Sequence, residues 1–369
     1  MVNLKEQYLK IHTAIDAAIR DVINTSAFIN GKQVGQFAEH LAAYCGVNYV
    51  IPCASGTDAL QLSLMALDLK PGDEIIVPAF TYAATAEAAA LLGIVPVVVD
   101  VDKMSFNMSA TSLLQALSPR TKAVVPVHLF GQSCDMEPIL AFAQRHGLYV
   151  IEDNAQSLGA DYTFSDGRTK KTGTMGNIGC TSFFPSKNLG CYGDGGALMT
   201  DDGEIAEKLR MLSNHGQRIK YRHDFVGCNS RLDTIQAAVL DVKLRFLDEY
   251  NYARRQAAFR YTKELRDFPG LIVPRVMPYS AHVFHQYTLQ VTDGNRDALK
   301  VHLEAAGIPS MIYYPIPLHE QPAYKDRVVI GGPLSNAERL SKEVLSLPMH
   351  TELTASQQNF IVEALKGFL

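Results

Sequence analysis

Short runs of valine and isoleucine alternate with helix-forming segments from about residue 48 onward, and this alternation limits the possible folds more than any other feature. Glu74-Ile-Ile-Val77, Val95-Pro-Val-Val-Val99 and Tyr149-Val-Ile151 are apolar enough to be strands buried on both faces. Helical patterns lie between such runs, for example over residues 83–92 and 137–146. The alternation predicts an α/β fold in which helices cover both faces of a mostly parallel sheet.

Helical patterns also flank this region. Apolar residues spaced three and four apart predict an amphipathic helix over residues 4–23, followed by a loop at Ser26–Gly31. One long helix is predicted over residues 232–265, joining a large domain (1–245) to a smaller α+β C-terminal domain (246–369). The small domain is predicted to contain strands at 271–273 and 286–291 and helices at 296–306, 337–344 and 355–366.

Composition excludes several classes of protein. The chain has 369 residues, of which 47% are hydrophobic, enough for a large core. Its formal net charge of −4 argues against a nucleic-acid-binding protein. We see no apolar run of the roughly 18–20 residues that span a membrane and no secretory leader. Six cysteines without a Cys-x-x-Cys pair favour structural thiols over disulfides or a metal site. We expect a soluble, cytoplasmic protein.

Lys187 is the first candidate for chemistry. It lies in a glycine-rich loop between two β-like runs, Cys180–Phe184 and Ala197–Thr200. One interpretation is an ordinary hairpin with a solvated lysine, since lysine is rarely buried without a partner. The other is a partly buried lysine, whose lowered pKa makes its amine a nucleophile toward carbonyl compounds.

Two further segments favour the second interpretation. Asp153 ends a predicted strand, at the edge where ligands bind in open α/β sheets, although it could also be the N-cap of a helix. Ala54–Leu60 places small and hydroxyl residues at the start of an apolar helix, where free N–H groups bind anions. A lysine, an acid and an anion site are the three requirements of pyridoxal phosphate.

These segments resemble the DegT/DnrJ/EryC1/StrS family of sugar aminotransferases, which are fold-type I pyridoxal phosphate enzymes. The resemblance covers nearly the whole chain and rests on several blocks in a fixed order. The blocks are Ser55-Gly-Thr57, Pro78–Thr85, Glu152–Gln156, Phe184-Pro-Ser-Lys187, Gly193-Asp-Gly-Gly196, Asn229-Ser-Arg231 and Tyr314–His319.

The resemblance implies a role for each matching residue of the cofactor site. Lys187 would bind the cofactor aldehyde and move a proton, while Asp153 would hold the ring nitrogen protonated. The other cofactor-binding positions are Gln156 on the ring-hydroxyl side, Tyr82 against the ring face, and Gly56, Thr57 and Ser182 around the phosphate. Asn229 would reach the phosphate of the other subunit, which makes the active protein a homodimer.

The same resemblance places Arg231, Tyr313, Tyr314 and His319 near the sugar. Arg231 could clamp a carboxylate or phosphate, or it could form a surface ion pair with Asp233. We expect His128 to support the site structurally and Asn154 to make a local hydrogen bond.

The implied reaction is transamination from L-glutamate to the C3 keto group of a nucleotide-linked ketosugar. The nearest resemblance is to enzymes that act on UDP-2-acetamido-2-deoxy-3-keto-glucuronate for surface polysaccharides such as lipopolysaccharide. A dTDP-3-keto-6-deoxyhexose is a second possible substrate. Two different functions compete with amino transfer. One is a pyridoxal-dependent sugar dehydratase. The dehydratase relatives in the family have histidine at the position of Lys187. The other is a regulatory protein on the same scaffold.

Overall fold

The computed structural model of the chain describes residues 1–368. Its helices bury apolar residues against the sheets and against one another. The α-helices are α1 (Leu4–Thr25), α2 (Lys32–Cys45), α3 (Gly56–Ala66), α4 (Ala84–Leu91), α5 (Met136–His146), α6 (Gly203–Leu212), α7 (Thr234–Leu244), α8 (Leu247–Leu265), α9 (Arg296–Ala305), α10 (Ser335–Glu343) and α11 (Ala355–Phe368).

The strands are mostly short. They are β1 (Tyr49–Cys53), β2 (Glu74–Pro78), β3 (Val95–Val99), β4 (Thr121–Val124), β5 (Tyr149–Asp153), β6 (Asp161–Thr163), β7 (Thr169–Lys171), β8 (Ile178–Ser182), β9 (Gly196–Thr200), β10 (Gln217–Ile219), β11 (Arg222–His223), β12 (Leu271–Ile272), β13 (Ser280–Ala281), β14 (Tyr287–Val291), β15 (Val329–Ile330) and β16 (Val344–Leu347).

Eight of these strands form the main sheet, in the order β1-β9-β8-β5-β4-β2-β3-β15. Strand β9 runs antiparallel to both of its neighbours, and the remaining pairs are parallel. The predicted α/β class and its mostly parallel sheet are therefore confirmed. The valine and isoleucine runs of β2 and β3 are almost completely buried, as strands covered on both faces must be.

A second, antiparallel sheet has the order β12-β14-β16 and lies in the C-terminal part of the chain. Its core includes apolar residues of α8, α9 and α11. Two short C-terminal strands pair elsewhere: β15 extends the main sheet beside β3, and β13 pairs with β6. The division at residue 245 stays a proposal.

The prediction of one helix over residues 232–265 is wrong, because the chain turns at Arg245 and Phe246 between α7 and α8. Phe246 has backbone angles of φ −108° and ψ 3°, outside the helical region. Its side chain packs on the cluster formed by α1 and α7, whereas Leu247 is buried in the cluster around Phe37. These two apolar residues serve different parts of the core, and the turn allows both to be buried.

Helix α2 was not predicted, although Phe37, Leu41 and Cys45 recur every four residues and are buried. Gly31 caps its N-terminus without a side-chain hydrogen bond, so the usual start signal is absent. The loop at 26–31 and the helix over 4–23 are confirmed by the structure. Among residues 1–368, no helix combines the length and apolar character needed to cross a bilayer.

Candidate active site

Lys187 lies in the loop that connects the antiparallel strands β8 and β9. Its backbone N–H donates to the carbonyl of Phe184 at 2.8 Å, and the residue is half-buried. Burial lowers the pKa of the Lys187 amine to about 8, and the negative charge of Asp153 opposes this shift. The structure therefore favours a lowered-pKa nucleophile over a solvated hairpin lysine.

Asp153 is the last residue of β5, the strand that pairs with β8. Its carboxylate accepts hydrogen bonds from the Ala155 N–H at 3.1 Å and from the Thr85 hydroxyl at 2.9 Å. Burial raises the pKa of Asp153, although both hydrogen bonds and the charge of Lys187 act in the opposite direction. Turns follow Asp153, so it does not cap a helix. A buried acid of this kind is well placed to bind a cation.

The start of α3 offers an anion site. Ser55 caps the helix by accepting from the Asp58 N–H at 3.1 Å, and the N–H groups of Gly56 and Thr57 have no acceptor within residues 1–368. A Cβ on Gly56 would lie 2.7 Å from the Cβ of Ser182, and a Cβ on Gly196 would overlap the Ser55 carbonyl. The ends of β8 and β9 thus press directly against the helix N-terminus.

Three tyrosines, Tyr82, Tyr313 and Tyr314, form an aromatic cluster in the candidate site. The Tyr82 ring is 60% exposed, and its centroid lies 6.0 Å from that of Tyr314. The Tyr314 hydroxyl accepts from Nε2 of Gln156 at 3.1 Å, while Oε1 of Gln156 accepts from the Phe130 N–H at 2.9 Å. Gln156 therefore positions Tyr314, and the exposed face of Tyr82 is available to a planar ligand. Tyr313 is half-buried beside Tyr314, with ring centroids 5.8 Å apart.

The residues on either side of Asp153 in the chain, Glu152 and Asn154, are buried and hydrogen-bonded. Nε2–H of His128 donates to the Glu152 carboxylate at 2.9 Å, and Nδ1 of His128 accepts from the Cys134 N–H at 3.0 Å. His128 is fully buried, consistent with the predicted supporting role. Asn154 donates to the Thr172 carbonyl at 2.9 Å and accepts from the Ser157 hydroxyl, so its predicted local hydrogen bonding is confirmed.

Asn229 and Arg231 belong to a segment that contacts the chain just before α3. Ser230, between them, accepts from the Ala54 N–H at 3.1 Å, which places this segment beside α3. Asn229 itself is exposed. Arg231 lines a groove together with Asn30, Tyr49 and Arg210, and neither Lys187 nor Asp153 lines this groove. Arg231 has no carboxylate within 4 Å among residues 1–368, so the alternative ion pair with Asp233 does not form.

His319 stands apart from the other predicted sugar-binding residues. Its Nε2 lies 3.4 Å from a carboxylate oxygen of Glu338 on α10, and its side chain is 8% exposed. The preceding residue, Leu318, donates its N–H to the Ala79 carbonyl, which joins this turn to the end of β2. No described contact links His319 to Lys187 or Tyr314, and its role stays a prediction.

Sequence reasoning missed two contributors. The hydroxyl of Thr85 donates a hydrogen bond to the Asp153 carboxylate. Thr85 ends the Pro78–Thr85 block, but the resemblance implied no role for it. Glu152 accepts from the N–H groups of Gly173, Met175 and Gly176 as well as from His128. The position of Glu152 next to Asp153 was the available signal, but its partners come from a distant segment and cannot be inferred from spacing.

The residues fit pyridoxal phosphate. Free amides at the start of α3, with the Ser182 hydroxyl, suit a phosphate dianion. The carboxylate of Asp153, whose pKa is raised by burial, suits a protonated pyridine nitrogen, because a nearby cation would offset the cost of burying its charge. The Lys187 amine, with a pKa of about 8, suits an aldehyde.

Comparison with known proteins gives a consistent result. The model of the DegT/DnrJ/EryC1/StrS aminotransferase family matches residues 10–366. The chain is 43% identical, over 99% of its length and 98% of the relative, to the UDP-2-acetamido-2-deoxy-3-oxo-D-glucuronate aminotransferase of Pseudomonas aeruginosa. It is 45% identical, over 97% of its length and 94% of the relative, to the UDP-N-acetyl-3-dehydro-alpha-D-glucosamine 3-aminotransferase of Acidithiobacillus ferrooxidans.

Other relatives have different names. The chain is 44% identical, over its whole length and 98% of the relative, to a pleiotropic regulatory protein of Geobacillus stearothermophilus. It is 40% identical, over 99% of its length and 94% of the relative, to the dTDP-3-amino-3,4,6-trideoxy-alpha-D-glucose transaminase of Streptomyces venezuelae.

Solved structures agree with the fold and the cofactor. A DegT DnrJ EryC1 StrS aminotransferase from Brucella abortus superposes with a TM-score of 0.94 at 43% identity, covering 100% of this chain and 98% of that one. S. venezuelae DesV, in complex with a ketimine intermediate, also gives 0.94, at 40% identity and with 100% and 97% covered. Bacillus subtilis NtdA, with bound cofactor PMP, gives 0.88 at 32% identity, with 97% and 82% covered.

Proposed function

Because the chain belongs to the DegT/DnrJ/EryC1/StrS aminotransferase family, we propose that it aminates UDP-2-acetamido-2-deoxy-3-keto-glucuronate at C3, with L-glutamate as the amino donor. The chain is a pyridoxal-phosphate-dependent sugar aminotransferase, and the proposal concerns its substrates. The observation that carries it is the 43% identity, over 99% of the chain, to a relative named for that keto sugar. The relative named for a UDP-linked 3-dehydro-glucosamine supports the same nucleotide and the same ring position.

The cofactor, when bound, supplies an electron sink for the electrons left when a donor Cα loses its proton. We assign its phosphate to Gly56, Thr57 and Ser182, and its ring nitrogen to the Asp153 carboxylate. We propose that Nζ of Lys187 accepts the proton from the donor Cα and returns a proton after the amine has moved. With a pKa of about 8, roughly a tenth of this amine is neutral at pH 7, against about three in ten thousand at a pKa of 10.5.

Recognition of the sugar carboxylate is assigned to Arg231. A guanidinium without an acidic partner can bind a carboxylate through two parallel hydrogen bonds. The groove lined by Arg231 includes neither Lys187 nor Asp153 of the same chain, and Asn229 is exposed. Both observations support a homodimer in which Asn229 and Arg231 complete the active site of the partner subunit. Tyr313, Tyr314 and His319 are proposed as further contacts to the sugar.

A dTDP-linked 3-keto-6-deoxyhexose is the second candidate substrate. The 40% identity to a dTDP-sugar transaminase favours it. Such a sugar has a methyl group in place of the C6 carboxylate, so Arg231 would lose that partner. We favour the UDP-linked glucuronate, whose carboxylate gives the unpaired guanidinium a charge-assisted partner.

We further propose that the product enters surface polysaccharide synthesis, such as lipopolysaccharide synthesis, and that the enzyme is cytoplasmic. All six cysteines lie within the described residues and are free thiols, five of them buried. This pattern is typical of proteins from reducing compartments.

Assaying nucleotide ketosugars for the conversion of L-glutamate to 2-oxoglutarate tests the substrate. We expect the UDP-linked 3-keto-glucuronate to give the highest kcat/KM, and the same sugar without its carboxylate to be used about 30-fold less well, a loss of about 2 kcal/mol. Arg231→Gln should remove this preference, whereas Arg168→Gln, which removes an exposed pair with Asp166 and a contact with the Phe164 ring, should keep it. A higher kcat/KM with a dTDP-linked 6-deoxy sugar would refute the assignment.

A further inference from the structure

Buried polar side chains from α7 and α8 fasten the loop that carries Lys187. Nζ of Lys243, on α7, donates to the carbonyl of Gly190 at 2.5 Å. On α8, Oδ1 of Asn251 accepts from Nδ2 of Asn188 at 2.6 Å. Asn188 directly follows Lys187 and is 5% exposed, and Asn251 is 1% exposed. The loop is therefore held at two points, Asn188 and Gly190, and the Asn251 contact is next to Lys187.

Asn251 also holds the other half of the active site. Its Nδ2 donates to the carbonyl of Leu158 at 3.2 Å, in the turn that follows Asp153. Gly159, at φ +86°, lies so close that a Cβ there would be 2.5 Å from the same Nδ2. One side chain thus contacts both the lysine loop and the segment after the acid. These two segments are far apart in sequence and are joined at this point through a residue of α8.

Asn188 can hardly exchange Asn251 for another partner. Its Nδ2 also donates to the Val283 carbonyl at 3.2 Å, and its Oδ1 has no hydrogen-bond partner among residues 1–368. Removing Asn251 would leave a buried N–H of Asn188 and the carbonyl of Leu158 each short of one partner. Buried polar groups avoid this state by moving toward water or toward a new partner, which displaces the segments that carry them.

We propose that Asn251 is a positioning residue for the aminotransferase reaction, which sets the place of Lys187 relative to Asp153 by joining their two segments. It touches neither the cofactor site nor a substrate and acts through Asn188 and Leu158. The inference needs only that Lys187 binds the cofactor, and it does not depend on which sugar is aminated. A displacement of about 1 Å at a reacting group can lower its rate about 100-fold.

The environment of the Lys187 amine gives a measurable signature. The titratable groups that act on it are Asp153, at the end of β5, and His285, which is buried just before β14. Burial keeps the pKa of the Lys187 amine at about 8. If the loop is released, water reaches the amine and its pKa rises toward 10.5, the value of an exposed lysine.

The test compares Asn251→Ala with Tyr261→Phe in protein freed of cofactor. Tyr261 is a matched control, because it lies on the same helix, is fully buried, and donates to the Pro348 carbonyl far from the lysine loop. The pKa of Lys187 is read from the pH dependence of its acylation by acetic anhydride, followed by peptide mass spectrometry. We expect a value near 8 in wild type and in Tyr261→Phe, and a rise of about one unit or more in Asn251→Ala.

A second measurement is the rate at which added pyridoxal phosphate becomes bonded to the protein, followed by its visible absorbance. We expect Asn251→Ala to slow this capture about 10- to 100-fold, and Tyr261→Phe to change it less than about twofold. Asn188→Ala removes the same Asn188–Asn251 hydrogen bond by changing its partner on the loop. This variant tests the proposal if Asn251→Ala fails to fold. The slowing in the double variant should be less than the product of the two single effects, since both variants remove the Asn188–Asn251 bond.

An unchanged Lys187 pKa and an unchanged capture rate in Asn188→Ala would overturn the proposal, as would equal losses in Asn251→Ala and Tyr261→Phe. Neither measurement uses a sugar or an amino donor. A wrong substrate assignment would therefore leave these results as expected and appear only in the ketosugar assays.

Discussion

Replacing Glu152 by glutamine should destabilise the protein strongly, although the two side chains have nearly the same shape. Each carboxylate oxygen of Glu152 accepts two hydrogen bonds. One oxygen accepts from the N–H groups of Met175 and Gly176, both at 2.6 Å. The other accepts from the Gly173 N–H at 2.8 Å and from Nε2–H of His128 at 2.9 Å. Every partner is a donor.

Glutamine has only one oxygen, so its NH₂ group must face two donors in either orientation. Changing the tautomer of His128 would not restore the lost hydrogen bonds. The protonated Nδ1 would then face the Cys134 N–H, so that two donors would again oppose each other. Two buried donors lose their acceptor, at about 1–3 kcal/mol each. We expect a loss of about 4 kcal/mol, which is a large part of the roughly 5–15 kcal/mol that stabilises typical proteins.

The assay is thermal and urea unfolding at fixed protein concentration, with Glu137→Gln as the control. Glu137 accepts hydrogen bonds from Ser165 at an exposed site, and its replacement should cost less than about 1 kcal/mol. Taking roughly 2 °C per kcal/mol, Glu152→Gln should lower the Tm by about 8 °C. A loss as small as that of Glu137→Gln would refute the reasoning.

The same carboxylate gives a prediction about pH. Although burial acts to raise it, hydrogen bonds from His128, Gly176 and Gly173 hold the pKa of Glu152 below its usual value of 4.5. A lowered folded-state pKa means that Glu152 stabilises the fold fully above pH 4.5 and less as the pH falls through the folded value. The Tm difference between wild type and Glu152→Gln should therefore shrink below about pH 4.5, and a constant difference would contradict this.

Three further predictions concern residues of the proposed active site. Asp153→Asn should keep the cofactor but lower kcat at least about 100-fold in a transamination assay, since a neutral amide does not hold the ring nitrogen protonated; near-normal turnover would contradict the role. Lys187→Ala should abolish transfer while its circular dichroism stays that of wild type, and measurable transfer would exclude Lys187 as the nucleophile. Mixing Lys187→Ala with Asn229→Ala subunits should restore activity that neither variant has alone, and no recovery would count against the shared site.

Local patterns in the sequence were sufficient to predict much of the fold. The valine and isoleucine runs of β2, β3 and β5 were predictable because a strand buried on both faces must be apolar along its length. The turn at Phe246 was not predictable, because it depends on the burial of Phe246 and Leu247 in separate clusters. Strands of two or three residues such as β13 and β15 form only through long-range pairing, which leaves no periodic pattern.

The candidate site divides in a similar way. Lys187, Asp153 and Gly56 could be proposed from the sequence, because each belongs to a local sequence block whose chemistry suits the cofactor. The residues that hold these segments in place could not be proposed in this way. Asn251, for example, forms hydrogen bonds with Asn188 and Leu158, which lie 63 and 93 residues away in the sequence. Such side chains stand on helices with no motif, and only the folded chain brings them to the lysine loop.

The central claim is that Lys187, and no other lysine, carries the cofactor. Lys243 provides a stringent comparison, because burial also lowers the pKa of its amine to about 8. Reducing the holoenzyme with sodium borohydride and mapping the phosphopyridoxyl mass on its peptides tests the claim directly. We predict that the added mass lies on Lys187, and its presence on Lys243 or on any other lysine would contradict the account.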